Sequence, residues 1–171
     1  ITDALKVAVP QLKELELRPD ARGTPHLWGK YEHWRPQGAW QTESDFSDGT
    51  LRLLGLFWAM LDGSGPLLLE EPELSLHPDV VRYIPQMFAR MQRRSGRQVL
   101  VSSHSTDLLM DNGIGLDEVL ILEPNVEGTT VRAVRGIQEV EELVESGSFL
   151  AEAVMPYTRP RRAHQLTLFG E

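Results

Sequence analysis

The sequence predicts an α/β fold in which a mostly parallel sheet is flanked by helices. Two observations carry this prediction. The short, continuous apolar run at residues 67–69 is typical of a strand that is covered on both faces of a parallel sheet, and a second short apolar run lies within residues 98–102. These runs alternate with segments of helical spacing, and that alternation indicates an α/β layered domain.

Length and composition limit the classes that the chain can belong to. With 171 residues and 41% hydrophobic content, it can build one compact core but not comfortably two separate domains. The absence of cysteine excludes disulfides and thiolate metal sites. A formal net charge of -8 makes the chain as a whole a poor match for DNA phosphates, so any DNA contact is expected to be local.

The chain carries no pattern that would direct it to a membrane. No apolar run approaches the roughly 20 residues that a membrane-spanning helix needs. The N-terminus also lacks the basic, apolar and small-residue sequence of a signal peptide. We therefore expect a cytoplasmic protein without a membrane partner.

The first third of the chain contains one clear helix. Residues 1–17 mix apolar and charged positions around Pro10, and helix and strand interpretations compete there. Residues 18–40 are rich in proline, glycine and aromatic residues, which indicates a loop or short strands packed on another part of the protein. Residues 51–61 are apolar on nearly every side, as in a buried helix, and residues 62–66 end it.

The remaining elements alternate along the chain. The first apolar run, residues 67–69, predicts a strand, and residues 79–94 predict a helix that Pro85 bends and Gly96 closes. The second run, 98–102, predicts another strand. The pattern further predicts a short helix at 106–110, a third strand at 118–122, an antiparallel edge strand at 129–134 and a helical segment at 140–154.

Consecutive carboxylates follow the first apolar run. Glu70 and Glu71 come directly after residues 67–69, and ligands of open α/β sheets collect at the carboxyl ends of the strands. At such an edge one carboxylate can help to hold magnesium, while its neighbour can polarise a water that attacks a γ-phosphate. The alternative is a solvated acidic turn at the end of a strand.

Two further segments carry polar groups suited to phosphate. His104 follows the next apolar run, where an imidazole can donate a hydrogen bond to a γ-phosphate, although a structural histidine would look the same. The turn Ser47-Asp48-Gly49-Thr50 precedes the predicted buried helix, and a helix N-terminus is a ready anion site. An ordinary N-cap uses the same physics.

In this order and at these separations, the segments resemble the C-terminal half of an ABC-type ATPase head, a P-loop NTPase of the RecF-, SMC- and OLD-like branch. Phe46-Ser47-Asp48-Gly49-Thr50 is similar to its signature motif and residues 67–71 to its Walker B motif. Residues 74–78 resemble its D-loop and His104 its switch histidine. The similarity covers roughly residues 46–122.

The resemblance implies ATP and Mg²⁺ as ligands and a homodimer that sandwiches ATP. Glu71 would activate the water, Glu70 would support Mg²⁺ and His104 would sense the γ-phosphate of the nucleotide bound by the same chain. Ser47, Asp48, Gly49 and Thr50 would contact the nucleotide of the partner. The implied activity is ATP hydrolysis in DNA repair, DNA maintenance or anti-phage defence.

Three positions depart from the family pattern. The Walker A motif Gly-x-x-x-x-Gly-Lys-Ser/Thr is not found, because Gly29-Lys30 is followed by Tyr31 and Gly23 lies one residue too far upstream. Together with the first residue, Ile1, this predicts a Walker A-containing segment or chain elsewhere, and little ATPase activity for this chain alone. Glu70 stands where the family commonly has Asp, and His77 replaces the usual D-loop acid.

The expected organisation has three segments. Residues 1–45 form a lead-in that packs on the head, 46–155 form the half head, and 156–171 form a basic tail. Within the tail, Gln165-Leu166-Thr167-Leu168-Phe169 resembles the pentapeptide that binds the bacterial sliding clamp, which makes a clamp a candidate partner. The alternative is a terminal peptide that folds onto the domain.

Two other functions compete with hydrolysis. A degenerate head that dimerises without turning over ATP would be a non-hydrolysing interaction module, and the missing Walker A pattern favours it. A nuclease would need a further domain, and about 67 residues follow His104. The later carboxylates form a pattern typical of a solvated helical face, and Arg52 fits either a solvated helix residue or a phosphate or partner contact.

Overall fold

The computed structural model describes residues 1–34 and 39–160. The helices of these residues are α1 (Thr2–Ala8), α2 (Asp48–Leu61), α3 (Pro78–Val81), α4 (Ile84–Ser95), α5 (Gln138–Glu145) and α6 (Leu150–Thr158). The strands are β1 (Leu12–Pro19), β2 (Pro25–Tyr31), β3 (Ala39–Thr42), β4 (Leu67–Glu70), β5 (Val99–Ser102), β6 (Leu120–Asn125) and β7 (Gly128–Ala133). Short 3-10 turns lie at Glu43–Asp45, Leu108–Met110 and Leu116–Glu118. The α/β class is confirmed.

The chain forms two compact units rather than the single core that its composition predicts. Unit 1 contains residues Ile1–Val81 and Phe88–Ser103, and unit 2 contains Arg82–Met87 and His104–Glu171. Each unit buries its own set of apolar side chains. These two units differ from the three expected segments, whose boundaries at residues 45 and 155 stay a prediction.

After helix α1, unit 1 contains an antiparallel sheet in the order β1-β2-β3. Residues 18–40 thus contain strand structure, which aperiodic composition left undecided. In β2, the ring of Phe46 packs against Gly29 and leaves no room for a side chain, since a Cβ added there would lie 2.8 Å from the Cζ atom of Phe46. On the opposite face, the Arg18 guanidinium lies 3.9 Å from the Trp40 ring centroid and 5.4 Å from that of Trp28.

Helix α2 ends at the predicted stop but begins at Asp48, three residues before the predicted start at residue 51, so most of the predicted turn is the first turn of the helix. Its hydrophobic residues do not all face the core: Leu53 and Leu56 are buried, whereas Trp58 and Leu61 are 62% and 73% exposed. The prediction of a helix buried on nearly every side is therefore wrong for the last turn of α2. Ser47 caps the N-terminal turn of α2.

Strands β4 and β5 form the predicted parallel pair. The register joins Leu67 with Val99, Leu68 with Leu100 and Glu70 with Ser102. In the described residues, parallel pairing is confined to these two strands. Only one face is covered, because Leu67 is 8% exposed while Leu68 is 72% exposed. The expectation of a strand covered on both faces is therefore wrong for this chain.

The helix predicted over residues 79–94 is broken rather than bent. Helix α3 ends at Val81 and α4 begins at Ile84. The cause is Pro85, whose ring disfavours continuous helix before it, but which fits the first turn of a new helix. Gly96 closes α4 as expected, with a φ of 66° and its N–H donating to the Gln92 carbonyl over 2.8 Å.

Unit 2 is built on an antiparallel hairpin of β6 and β7. The predicted third strand and edge strand therefore pair with each other. Helices α5 and α6 replace the single helical segment predicted at 140–154, since Gly147 adopts a φ of 101° between them. The buried cluster comprises Ile121, Val134, Val140, Leu150, Ala153 and Val154.

No helix within residues 1–34 and 39–160 is long and apolar enough to cross a membrane. The peptide Gln165–Phe169 and most of the basic tail lie outside the described residues.

Candidate phosphate-transfer site

The two predicted carboxylates lie at the carboxyl end of β4. Glu70 is the last residue of the strand and its side chain is exposed. Glu71 continues the ladder, because its N–H donates to the Ser102 carbonyl over 2.9 Å. Its φ of 43° then turns the chain sharply away from the sheet. Left-handed backbone costs a non-glycine residue roughly 1–2 kcal/mol, and such strain concentrates at functional positions.

A tight turn follows Glu71. The N–H of Leu74 donates to the Glu71 carbonyl over 3.2 Å, and the N–H of Leu76 donates to the Glu73 carbonyl over 3.0 Å. Ser75 has a φ of 63°. Glu71 and Ser75 are the non-glycine residues of positive φ in the described chain. The segment that resembles a D-loop is thus a compact, strained turn.

Glu73 is a buried carboxylate inside this turn, which the sequence analysis did not single out. It is 7% exposed, and its Oε1 accepts a hydrogen bond from the Ser103 hydroxyl. Within residues 1–34 and 39–160 its Oε2 has no hydrogen-bond partner. Glu73 therefore ties the turn to the residue directly before His104.

The signature-like turn caps helix α2. The N–H of Thr50 donates to Ser47 Oγ over 3.2 Å, and the two hydroxyl oxygens are 2.9 Å apart. Ser47 and Asp48 are exposed, Gly49 is half-buried and Thr50 is buried. Ser47 is thus an N-cap, as its alternative interpretation held, at an exposed helix N-terminus that can still receive an anion.

Two contacts join the signature helix to the carboxylate turn. Arg52 Nη1 donates to the Glu71 carbonyl over 3.1 Å. Gly49 packs directly on the turn, since a Cβ built there would lie 2.4 Å from the Ser75 carbonyl oxygen. Glycine is therefore required at position 49 for steric reasons. These contacts bring the N-terminal part of α2 against the turn that begins at Glu71.

His104 lies two residues after the end of β5 and belongs to unit 2. Its side chain is exposed. Its role at a γ-phosphate stays a prediction.

His77 has a local role at the start of α3. Its Nδ1 accepts from the Asp79 N–H over 3.2 Å, and its carbonyl accepts from the N–H of Val80 over 2.8 Å. A residue that caps a helix can differ in charge from the usual acid without loss of the turn. The Gly29-Lys30 pair, which only partly matches a Walker A motif, lies within strand β2 rather than in a loop, and Lys30 Nζ donates to Glu14 over 2.8 Å.

An ion pair that no sequence pattern predicted anchors the chain just before the signature-like turn. Glu43 Oε1 lies 2.5 Å from His26 Nδ1, while its Oε2 accepts from the Leu27 N–H over 2.8 Å. The hydrogen bond to Glu43 holds the pKa of His26 above its usual value, and the same bond holds the pKa of Glu43 below its usual value. The pair is therefore favoured in its charged form.

A second unforeseen residue is Arg97, which follows α4. Its guanidinium donates to the carbonyls of Ala59 and Asp62 over 2.6 Å each, and to that of Gly65 over 2.5 Å. These acceptors lie at and beyond the C-terminal end of α2, where helix carbonyls lack internal partners and favour a cation. Arg97 thus holds the far end of the same helix that carries the signature-like turn.

The donor set fits a magnesium ion only in company with a nucleotide. No cluster of three or more His, Asp or Glu side chains that could hold a metal occurs in the described part of the chain. Mg²⁺ is commonly bound by one or two carboxylates together with waters and substrate phosphates. An exposed Glu70 at the end of a strand supplies one such carboxylate.

The family of the chain follows from its sequence match. Residues 2–111 match the family described as "AAA domain, putative AbiEii toxin, Type IV TA system". The chain belongs to this family. The match includes α1, the antiparallel sheet, the signature-like turn, both carboxylates and His104. The AAA domain places the chain among nucleotide-hydrolase folds, and the recognition of an ATPase head is confirmed. None of the curated protein sequences matches the chain.

Solved structures agree on the fold. One that covers 84% of this chain and 86% of its own is described as "Structural biochemistry of ATP-driven dimerization and DNA stimulated activation of SMC ATPases". Its TM-score is 0.56 at 10% sequence identity. At that identity the similarity establishes a P-loop ATPase head fold for this AAA domain and no more.

Proposed function

We propose that this AAA domain is the catalytic half of a dimerising ATPase and that Glu71 is its general base. The observation that carries the proposal is the geometry at β4: a parallel strand ends in Glu70 and Glu71, and the second carboxylate is held in left-handed backbone. A general base must be positioned as well as ionised, and a strained, hydrogen-bonded turn supplies the position.

The other predicted residues take the roles that the family resemblance implies. Glu70 supports Mg²⁺, which when bound neutralises charge on the phosphate oxygens. His104 senses the γ-phosphate. Ser47, Asp48, Gly49 and Thr50 form the N-terminal turn of α2, which contacts the nucleotide of a second protomer where Ser47 and Asp48 are exposed. Hydrolysis therefore requires a dimer that encloses ATP.

A Walker A-containing segment or chain completes the site. The exposed face of β4 and β5 supports this part of the proposal, because Leu68 is 72% and Leu100 is 47% exposed and the two are paired in register. Parallel sheets are normally covered on both faces. We propose that the Walker A-containing segment covers this face and supplies the phosphate loop.

The cellular role belongs to anti-phage defence or to DNA repair and maintenance. The family description names a type IV toxin–antitoxin system, which favours defence. The description of the similar SMC structure names dimerisation and DNA-stimulated activation, which supports DNA as an effector. The clamp-like peptide Gln165–Phe169 adds a second candidate partner.

The test is ATP hydrolysis by the natural gene product that contains this chain, with Glu71→Gln as the decisive variant. Loss of the general base is expected to lower kcat at least about 100-fold. The variant should also accumulate as a nucleotide-bound dimer in gel filtration. Glu127→Gln is the matched control, since Glu127 is exposed on the β6–β7 turn and should leave kcat unchanged.

The competing function has a distinct outcome. If the wild-type protein dimerises with ATP but hydrolyses none, and Glu71→Gln behaves like the wild type, the domain is a non-hydrolysing interaction module. Equal activity of the wild type and Glu71→Gln would refute Glu71 as the base.

A further inference from the structure

We infer that Arg52 is a positioning residue that connects the signature turn of one protomer to its own catalytic carboxylate, so that the two nucleotide sites of a dimer communicate through α2. The inference rests on the proposed function, in which residues 47–50 touch the partner's nucleotide and Glu71 serves the nucleotide of its own chain. From sequence alone, Arg52 fitted a solvated helix residue or a phosphate or partner contact.

The first step is the contact of Arg52 with Glu71. The guanidinium donates to the backbone carbonyl of Glu71 rather than to its side chain, over 3.1 Å. That carbonyl also accepts from the N–H of Leu74 over 3.2 Å. The carbonyl belongs to a residue with a φ of 43°, a conformation that persists only when its surroundings fix it. Arg52 is one of the groups that fix it.

The second step is the close approach of Gly49 to the same turn. The Ser75 carbonyl oxygen occupies the space where any Cβ at position 49 would lie, 2.4 Å away. Ser75 is itself left-handed, with a φ of 63°. The first two turns of α2 therefore contact both strained residues of the carboxylate turn, one by a hydrogen bond and one by backbone packing.

The third step is the position of the exposed groups. Ser47 and Asp48 face solvent at the N-terminus of α2, where a partner's nucleotide can reach them, and Arg52 lies one turn further along the same helix. Successive turns of a helix move together, so a displacement of residues 47–49 on nucleotide binding would also displace Arg52. A shift of α2 would therefore reach the backbone of Glu71 directly.

Hydrogen exchange tests the positioning role without requiring hydrolysis. In Arg52→Met, the amides of Leu74 and Leu76, which close the turn, should exchange about tenfold faster than in the wild type, because one fixing hydrogen bond is lost. Arg52→Lys should restore part of the protection. Arg97→Met is the control: it removes hydrogen bonds at the other end of α2 and should lower the melting temperature without selectively exposing these two amides.

Kinetics of the natural gene product separate positioning from phosphate binding. Arg52→Met should lower kcat about tenfold with the KM for ATP unchanged, and Arg52→Lys should recover part of kcat. A rise in KM at unchanged kcat would overturn the inference in favour of a phosphate contact. Unchanged exchange of Leu74 and Leu76 in Arg52→Met would overturn it whatever the kinetics.

The two proposals fail in different ways. If the wild type and Glu71→Gln are equally inactive, the proposed function is wrong, and hydrogen exchange still decides whether Arg52 holds the turn. If Glu71→Gln abolishes hydrolysis while Arg52→Met alters neither exchange nor kcat, the ATPase stands and the relay is refuted.

Discussion

The pair of His26 and Glu43 controls the entry to the signature-like turn at the level of single residues. Glu43 follows β3 directly and bonds to two groups of β2, the His26 ring and the Leu27 N–H. Asp20 adds a weaker contact, with its Oδ2 atom 3.7 Å from His26 Nε2. These contacts hold Glu43 against β2, only a few residues before the N-cap Ser47 of α2.

The pair makes the free energy of unfolding depend on pH in a defined window. The raised pKa of His26 stabilises the fold fully below its usual value of 6.5, and this stabilisation is lost as pH rises through the folded value. The lowered pKa of Glu43 stabilises the fold above its usual 4.5 and is lost as pH falls through the folded value. The loss of stability in His26→Gln should therefore be largest between pH 4.5 and 6.5.

Urea denaturation from about pH 3 to about pH 9 measures the difference in the free energy of unfolding between the wild type and His26→Gln. This range includes the titrations of both His26 and Glu43. Glu43→Gln should produce the same window, and the double variant should lose little more than either single one. A difference in stability between wild type and His26→Gln that is the same at every pH would contradict the prediction.

Gly49 is the residue at which shape matters most. In Gly49→Ala the new methyl group would meet the Ser75 carbonyl at 2.4 Å, so the turn or α2 must move. We expect a loss of about 1–3 kcal/mol in the free energy of unfolding, the usual range for overpacking. Urea denaturation provides the measurement.

Gly55 offers the matched control on the same helix. Nothing lies within 4 Å of a Cβ built there, and its backbone is helical and exposed. Gly55→Ala should therefore stabilise the protein by about 0.5–1 kcal/mol, because alanine is the better helix former. A loss of stability in Gly55→Ala equal to that in Gly49→Ala would show that the contact with Ser75 is not the cause.

Helix α2 is the element that unites the features of unit 1. Its N-terminus is capped by Ser47, its second turn holds the Glu71 backbone through Arg52, and its C-terminal carbonyls accept from Arg97. Arg97 directly precedes the residue whose carbonyl accepts the Leu67 N–H over 2.8 Å. The helix is therefore tied to the parallel strands at both ends.

Arg97→Met tests the anchoring of the C-terminal end of α2. Removal of three charge-assisted hydrogen bonds should lower the free energy of unfolding by about 1–3 kcal/mol, since bonds to a charged donor are stronger than neutral ones and the bond to Ala59 is part-buried. Chemical denaturation gives the value. Arg93→Met, an exposed substitution in the last turn of α4, should change stability by less than about 0.5 kcal/mol. Equal effects would refute a specific anchor.

At the scale of the whole molecule, the open question is whether a further segment covers the exposed face of β4 and β5. Leu68→Gln and Leu100→Gln should each change the stability of this chain by less than about 0.5 kcal/mol, because both side chains already face solvent. In the natural gene product, the same changes should weaken ATP binding if the Walker A-containing segment covers this face.

Leu67→Gln is the control for this comparison. Leu67 is 8% exposed on the opposite face of the strand, so its replacement by a polar side chain should cost about 3 kcal/mol in this chain. Chemical denaturation measures the stability of the variants of this chain. Isothermal titration with a non-hydrolysable nucleotide measures the nucleotide affinity of the same variants of the natural gene product. ATP affinity that is unchanged by both exposed substitutions would argue against a covering segment at this face.

Local patterns predicted much of what is found. The apolar runs before Glu70 and Ser103 identify β4 and β5, and the Ser47 turn identifies the start of α2, because short apolar runs and helix capping depend on neighbouring residues. The order of these segments also indicated the ATPase head, which the family match confirms. The break before Pro85 was readable in principle, since the constraint that proline imposes is local.

Tertiary packing decided the rest. The contacts of Arg52 with Glu71, Gly49 with Ser75 and His26 with Glu43 join residues 17 to 26 positions apart in the chain. No local rule selects such partners, because Arg52 and Glu43 could each reach several groups and Gly49 could pack on several surfaces. Only the packed backbone decides which group lies in contact. The two-unit division and the exposed face of β4 follow for the same reason: burial depends on which surfaces meet, and the linear pattern of apolar residues does not contain that information.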